Sequence, residues 1–153
     1  MTIITQLPSG GDFRSLFEHH TVGSGFFLTV DDRAGIEHLL RYSKTRNASN
    51  PALLNGLLRH KLRISRGAIE PASPELVVTG RQITYLIREE GSRSGVLSMG
   101  PTPIPGHFLV TSLLGATLIG MRKLQKAPLL RDDGQIDKVV VLDVDPSTTH
   151  HTA

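Results

Sequence analysis

The chain has no cysteine and no tryptophan, and its 153 residues include only five Phe and two Tyr. Without Cys there is no disulfide framework, no thiol nucleophile and no Cys-ligated metal, which fits a cytoplasmic protein. With so few aromatics, aliphatic side chains must build most of the core. Long apolar runs are also missing. None approaches the roughly 18–20 residues that span a bilayer, so no membrane partner is expected. The opening "MTIITQLPSGGDFRSLFEHH" has neither the basic start nor the apolar block of a signal peptide, and the protein is expected to stay where it is made. No phosphate-binding loop, dinucleotide fingerprint or nucleophile elbow is present. The pairs His19-His20 and His150-His151 have no carboxylate or Cys cluster to complete a metal site. The expectation is a protein that is not an enzyme and uses no metal or cofactor.

Periodicity divides what remains. Residues 1–28 show no sustained period and read as a poorly ordered arm, with Phe26, Phe27 and Leu28 tacked onto the next element. Residues 29–68 read as a helical hairpin. Thr29 followed by Asp32 is a capping-box arrangement, and Ile36, Leu39 and Leu40 then share a face. "TRNASN" interrupts the pattern, and Asn50-Pro51 restarts it as N-cap and first helical residue. Leu54, Leu57, Leu58 and Leu62 form the second stripe, and Gly67 is the expected C′ residue. From Arg41 to Arg66 the chain carries Arg41, Lys44, Arg46, Arg59, Lys61, Arg63 and Arg66 and no carboxylate. Such a run is either a basic face for nucleic acid or acidic protein, or a solvated helix face.

"IEPASPELV" is a linker, and the period then changes to two. Over 75–145, "VVTGRQITYLIREE" predicts a long strand with Arg81, Ile83, Tyr85 and Ile87 on one face. "EEGSRSG" predicts a turn, "GVLSMG" a return strand, "HFLVT" a third strand and "KVVVLDV" a last one. "RDDG", with Asp132 and Asp133, could be a catalytic carboxylate pair, but between strands it reads as a tight turn. Residues 146–153 read as a disordered tail. The fold class is α+β: a short antiparallel hairpin followed by a mostly antiparallel sheet with one short helix. That helix lies in "SLLGATLIGMRKLQ", where Gly115 and Gly120 interrupt an otherwise apolar segment.

This order of elements, with Ser112, Gly115, Leu118, Gly120 and Gln125 in their spacing, resembles the Gre-type transcription elongation factors. The likeness is strongest to the branch named for regulation of nucleoside diphosphate kinase (Rnk). "LTVDDRAGIEHLL" and "VVTGRQITY" resemble that family's first helix and first strand. The resemblance covers about residues 28–144. It implies a coiled-coil hairpin, an FKBP-like C-terminal domain and RNA polymerase as partner. It also implies docking through Ser112, Leu113, Leu114, Gly115 and Gly120, and a hairpin tip of Lys44, Arg46, Asn47 and Asn50 presented to the secondary channel. The chain departs from the family pattern where its Pro is Leu113, where its later Gly is Leu124, and where "GPTPIPG" replaces the acidic stretch that usually follows the second strand. Family members that stimulate transcript cleavage carry acidic residues at the tip, because Mg²⁺ takes oxygen ligands. This tip has none, so the expectation is a non-catalytic regulator without cleavage stimulation. A nucleic-acid-binding module using the basic hairpin is the alternative. A third reading, a prolyl isomerase, would rest on Tyr85 and Phe108 alone.

Overall fold

The computed structural model describes residues 25–146. The arm up to residue 24, the tail from residue 147 and both His pairs lie outside the described residues. Helix α1 spans Val30–Arg41. Its N-cap is Thr29, whose Oγ1 accepts the Asp32 N–H at 3.0 Å. The other half of the expected capping box is not made. The buried Asp32 carboxylate instead accepts the Thr79 hydroxyl at 2.6 Å and the Thr79 N–H at 3.2 Å. Burial pushes its carboxyl above the usual range, and the two Thr79 hydrogen bonds oppose that rise. Asp32 thus ties the first turn of α1 to the segment that precedes the sheet.

Helix α2 spans Pro51–Ile64, with Pro51 in its first turn and the Asn50 Oδ1 accepting the Leu53 N–H at 3.2 Å. Leu54, Leu57 and Leu58 face inward. The Arg33 guanidinium donates to the carbonyls of Leu62 and Ser65, at 3.1 and 2.9 Å, so the start of α1 lies by the end of α2 and the helices run antiparallel. Gly67 is not the C′ residue. The helix stops at Ile64, Ser65 is extended, and Arg66–Gly67 forms strand β2, parallel to β1 (Phe27–Leu28). The cause is the strand edge offered by β1, where the Phe26 carbonyl accepts the Arg66 N–H at 2.9 Å. Phe26 and Leu28, expected at the margin of an arm, are therefore core residues.

Strands β3 (Gln82–Ile87), β4 (Gly91–Ser98), β5 (His107–Leu109), β6 (Lys126–Leu130) and β7 (Ile136–Asp145) form one sheet in the order β5-β4-β3-β7-β6. Its pairs are antiparallel except β4 with β5. The alternation over β3 holds: Arg81, Ile83, Tyr85 and Ile87 are buried while Gln82, Thr84 and Leu86 are not. "GSRSG" is strand rather than turn, because each residue from Gly91 to Gly95 pairs with β3. Helix α3 (Leu113–Leu118) follows β5. The two long helices do not stand apart as a coiled coil. Ile36, Leu39, Leu54, Leu57 and Leu58 share one core with Ile83, Leu97, Val110, Leu118 and Val141 of the sheet half.

Lys61 joins these parts. It lies on the inner face of α2 and is fully buried. Its Nζ donates to the carbonyls of Thr117 and Ile119 at 2.7 and 2.8 Å and sits 3.8 Å from the centre of the Phe26 ring. A helix end leaves its last carbonyls without intrahelical donors, and here a lysine supplies them. The basic run of the hairpin therefore loses Lys61 from its exposed face. Gly115 explains how α3 can lie so close to the preceding strand. A Cβ there would fall 1.9 Å from the Leu109 carbonyl oxygen. Gly120 ends the turn after α3 with φ +86°, and its carbonyl accepts the Phe27 N–H at 3.0 Å.

Two outcomes follow for stability. Gly115→Ala must push α3 away from backbone that cannot yield, and should lose about 3 kcal/mol or prevent folding, read by urea denaturation. An unchanged midpoint would refute the close approach. Lys61→Met keeps the packed stem but leaves two buried carbonyls without their donor, and should cost about 1–3 kcal/mol at neutral pH. Burial also pushes the Lys61 ammonium well below the usual lysine range. A cation whose pKa falls on folding binds its proton more weakly in the native state. The penalty is full below the native pKa and disappears as pH rises to the unfolded value of about 10.4. Across that window the wild type should gain stability with pH relative to Lys61→Met, and parallel pH profiles would refute it.

Candidate functional site

The start of α3 shapes an open groove. Ser112 is its N-cap: the Oγ accepts the Gly115 N–H at 3.0 Å and donates to the Leu109 carbonyl at 2.7 Å. Those two bonds fix the first turn, so the half-buried Leu113 and Leu114 line an open groove of about 580 Å³. Ala48, Ser49 and Asn50, from the loop between α1 and α2, form the opposite wall. The end of β6 and the turn to β7 close the third side, with Leu129, Leu130, Arg131, Asp132 and Asp133.

The structure thus brings Asn50 of the tip together with Ser112, Leu113 and Leu114. Lys44, Arg46 and Asn47 are exposed on the same loop but do not line the groove. Gly115 and Gly120 are buried beneath it, against Leu109 and Phe27, and act there as packing positions. The tip is braced from both sides. The buried Thr45 donates its hydroxyl to the Asn55 Oδ1, and the Ser49 hydroxyl donates to the Asp132 Oδ2 at 2.9 Å.

"RDDG" is the tight turn its composition indicates. The Gly134 N–H meets the Arg131 carbonyl at 3.0 Å, and the Arg131 N–H meets the Gln135 carbonyl at 2.8 Å. The turn is also a wall of the groove, which sequence reading missed. No local signal in the sequence marks it, since an Asp-Asp-Gly turn reads the same wherever it packs. Arg131 pairs with Glu90 and, at 3.6 Å, with Asp137. Asp133 accepts the Gln135 N–H at 2.9 Å. Among the described residues no group of three or more His, Asp or Glu side chains could hold a metal, and no helix is long and apolar enough to cross a membrane. Tyr85 and Phe108 pack against each other, ring centres 5.5 Å apart.

No protein-family profile matches the chain, and no curated protein matches it. Solved structures do. A prokaryotic transcription elongation factor GreA/GreB from Nitrosomonas europaea aligns with a TM-score of 0.54 and 14% identity, over 78% of this chain and 97% of the other. The GreA factor homolog 1 of Thermus thermophilus covers the same shares at a TM-score of 0.36 and 14% identity. The Thermus aquaticus protein Gfh1 does so at 0.39 and 16%. The first likeness establishes a shared fold, and the other two add nothing to it.

Leu124 stands where the sequence motif expects glycine, and its backbone is left-handed at φ +72°. The side chain is 66% exposed, so little burial offsets the strain. Leu124→Gly should stabilise the protein by up to about 1 kcal/mol in thermal or urea melts. A clear loss would show instead that the leucine side chain outweighs the backbone conformation.

Proposed function

We infer that this protein is a non-catalytic transcription regulator that binds RNA polymerase and does not stimulate transcript cleavage. The observation that carries this reading is a fold shared with a GreA/GreB elongation factor over nearly all of that protein's length. The motif around Ser112–Gln125 agrees with it. Fold alone does not fix activity, so the chemistry of the tip has to decide the rest. The exposed tip carries Lys44, Arg46 and Asn47 and no carboxylate. Cations repel a divalent metal, and Asn47 alone cannot replace the missing carboxylates. The nearest acid by hydrogen bonding, Asp132, belongs to another loop and is engaged by Ser49.

The short helices favour a relative of the Rnk branch, with an FKBP-like sheet half. A polymerase regulator of this kind works in the cytoplasm, on an enzyme it modulates without catalysing a reaction itself. A second reading has its own support. Arg41, Lys44, Arg46, Arg59 and Arg66 are exposed and form no ion pair among the described residues, which suits a polyanion.

A pull-down separates the two. Retention of purified polymerase that survives nuclease treatment supports the first reading. Binding that vanishes with nuclease, and falls steeply as salt rises, supports the second. In an assay of backtracked polymerase complexes, the cleavage rate should equal that of polymerase alone. Acceleration would refute the predicted lack of cleavage stimulation.

A further inference from the structure

The groove before Ser112 carries a charge opposite to that of the molecule. The chain has a net charge of +3, and the tip loop beside the groove exposes Lys44 and Arg46. The charged residues that line the groove are Arg131, Asp132 and Asp133. Arg131 is turned to Glu90, from the turn between β3 and β4, and to Asp137 of β7, so its charge is compensated by those two carboxylates. Asp132 accepts a neutral hydroxyl and Asp133 a backbone N–H, and neither forms an ion pair among the described residues. Both are exposed, while Leu113, Leu114 and Leu130 beside them are half-buried. An apolar floor with two uncompensated carboxylates at one lip complements a segment that has apolar side chains and a Lys or Arg at one end. It offers nothing to a polyanion, which the lip repels.

We propose that this groove docks an apolar-faced, basic segment of a protein partner, and that Asp132 and Asp133 select that segment by charge. This rests on the polymerase-binding reading and names the chemistry of the polymerase surface the groove takes. Asn50 and Ser49 belong to the same wall, so the tip meets the docked segment instead of reaching away from it.

The test uses the full chain against immobilised core RNA polymerase and, separately, against a single-stranded RNA oligonucleotide. The double variant Asp132→Lys with Asp133→Lys should bind polymerase at least about tenfold more weakly, with the deficit narrowing at high salt as the new repulsion is screened. The double Asn variant, which keeps the shape of the turn, should show a smaller loss in the same direction. Leu113→Glu should abolish polymerase binding. Glu37→Lys shifts the net charge in the same direction at an exposed carboxylate outside the groove, and should bind as the wild type does. Undiminished binding by both Asp variants overturns the proposal, as does a Glu37→Lys loss equal to theirs. If the Lys variant binds RNA more tightly and retains polymerase only through RNA, the groove belongs to the nucleic-acid reading and the proposal fails. A wild type that does not bind polymerase overturns the polymerase reading and this inference with it.

Discussion

The Lys61 ammonium lies in the interior, with no carboxylate beside it among the described residues, answered by two helix-end carbonyls and the face of a phenyl ring. Taking this amine out of water is costly, and the two hydrogen bonds with the ring face offset that cost. In exchange one side chain pins three elements that are distant in sequence: α2, the end of α3 and the strand that begins at Phe27. Because α3 is held at its end by Lys61 and faces Asn50 at its start, it lies along α2. The width of the groove between them follows from that arrangement. The helices and the sheet consequently behave as one packed body, with the tip set against the start of α3.

Local features were legible in the sequence to the extent that their causes are local. Thr29 and Asn50-Pro51 start helices by satisfying N–H groups within three residues. The alternation of Ile83, Tyr85 and Ile87 marks a half-buried strand wherever that strand is placed. Features that depend on a distant partner were not legible. Lys61 follows Leu57 and Leu58 by four and three residues, on the leucine stripe itself, yet a charge there reads as outward until the carbonyls of Thr117 and Ile119 are known. Asp32 reads as half of a capping box until Thr79 arrives beside it. Gly67 reads as a helix stop because nothing local announces that Phe27 will offer an edge. The groove is half legible: the motif draws Ser112, Leu113 and Leu114 together, while Asn50 reads as part of a remote tip. Asp132 reads as turn chemistry alone, because a turn residue gives no sign of what packs behind it.

The division of labour within the glycine-spaced segment bears on function. Gly115 and Gly120 describe a scaffold, since each answers a backbone contact, with Leu109 and with Phe27. The surface chemistry belongs to their neighbours, which a scaffold can change without altering its path. Related folds can therefore share the glycines and differ in what they recognise. In this chain the tip is cationic and the groove lip anionic, on two loops that meet at the Ser49–Asp132 hydrogen bond. Any partner that touches both must present complementary charges in that order.

The pairing of β1 sets a condition on biosynthesis. Phe27 bonds to the Gly120 carbonyl, and the Gln125 side chain bonds to the Gly25 carbonyl at 3.0 Å from a hundred residues further along. The first described strand thus gains part of its final cover only after some 90 more residues have been made. At about 5–20 residues per second, Phe26 and Leu28 wait roughly 5–20 s on the ribosome without that cover. For this chain the hazard of exposed apolar surface falls at the beginning of synthesis, and the C-terminal half brings it to an end.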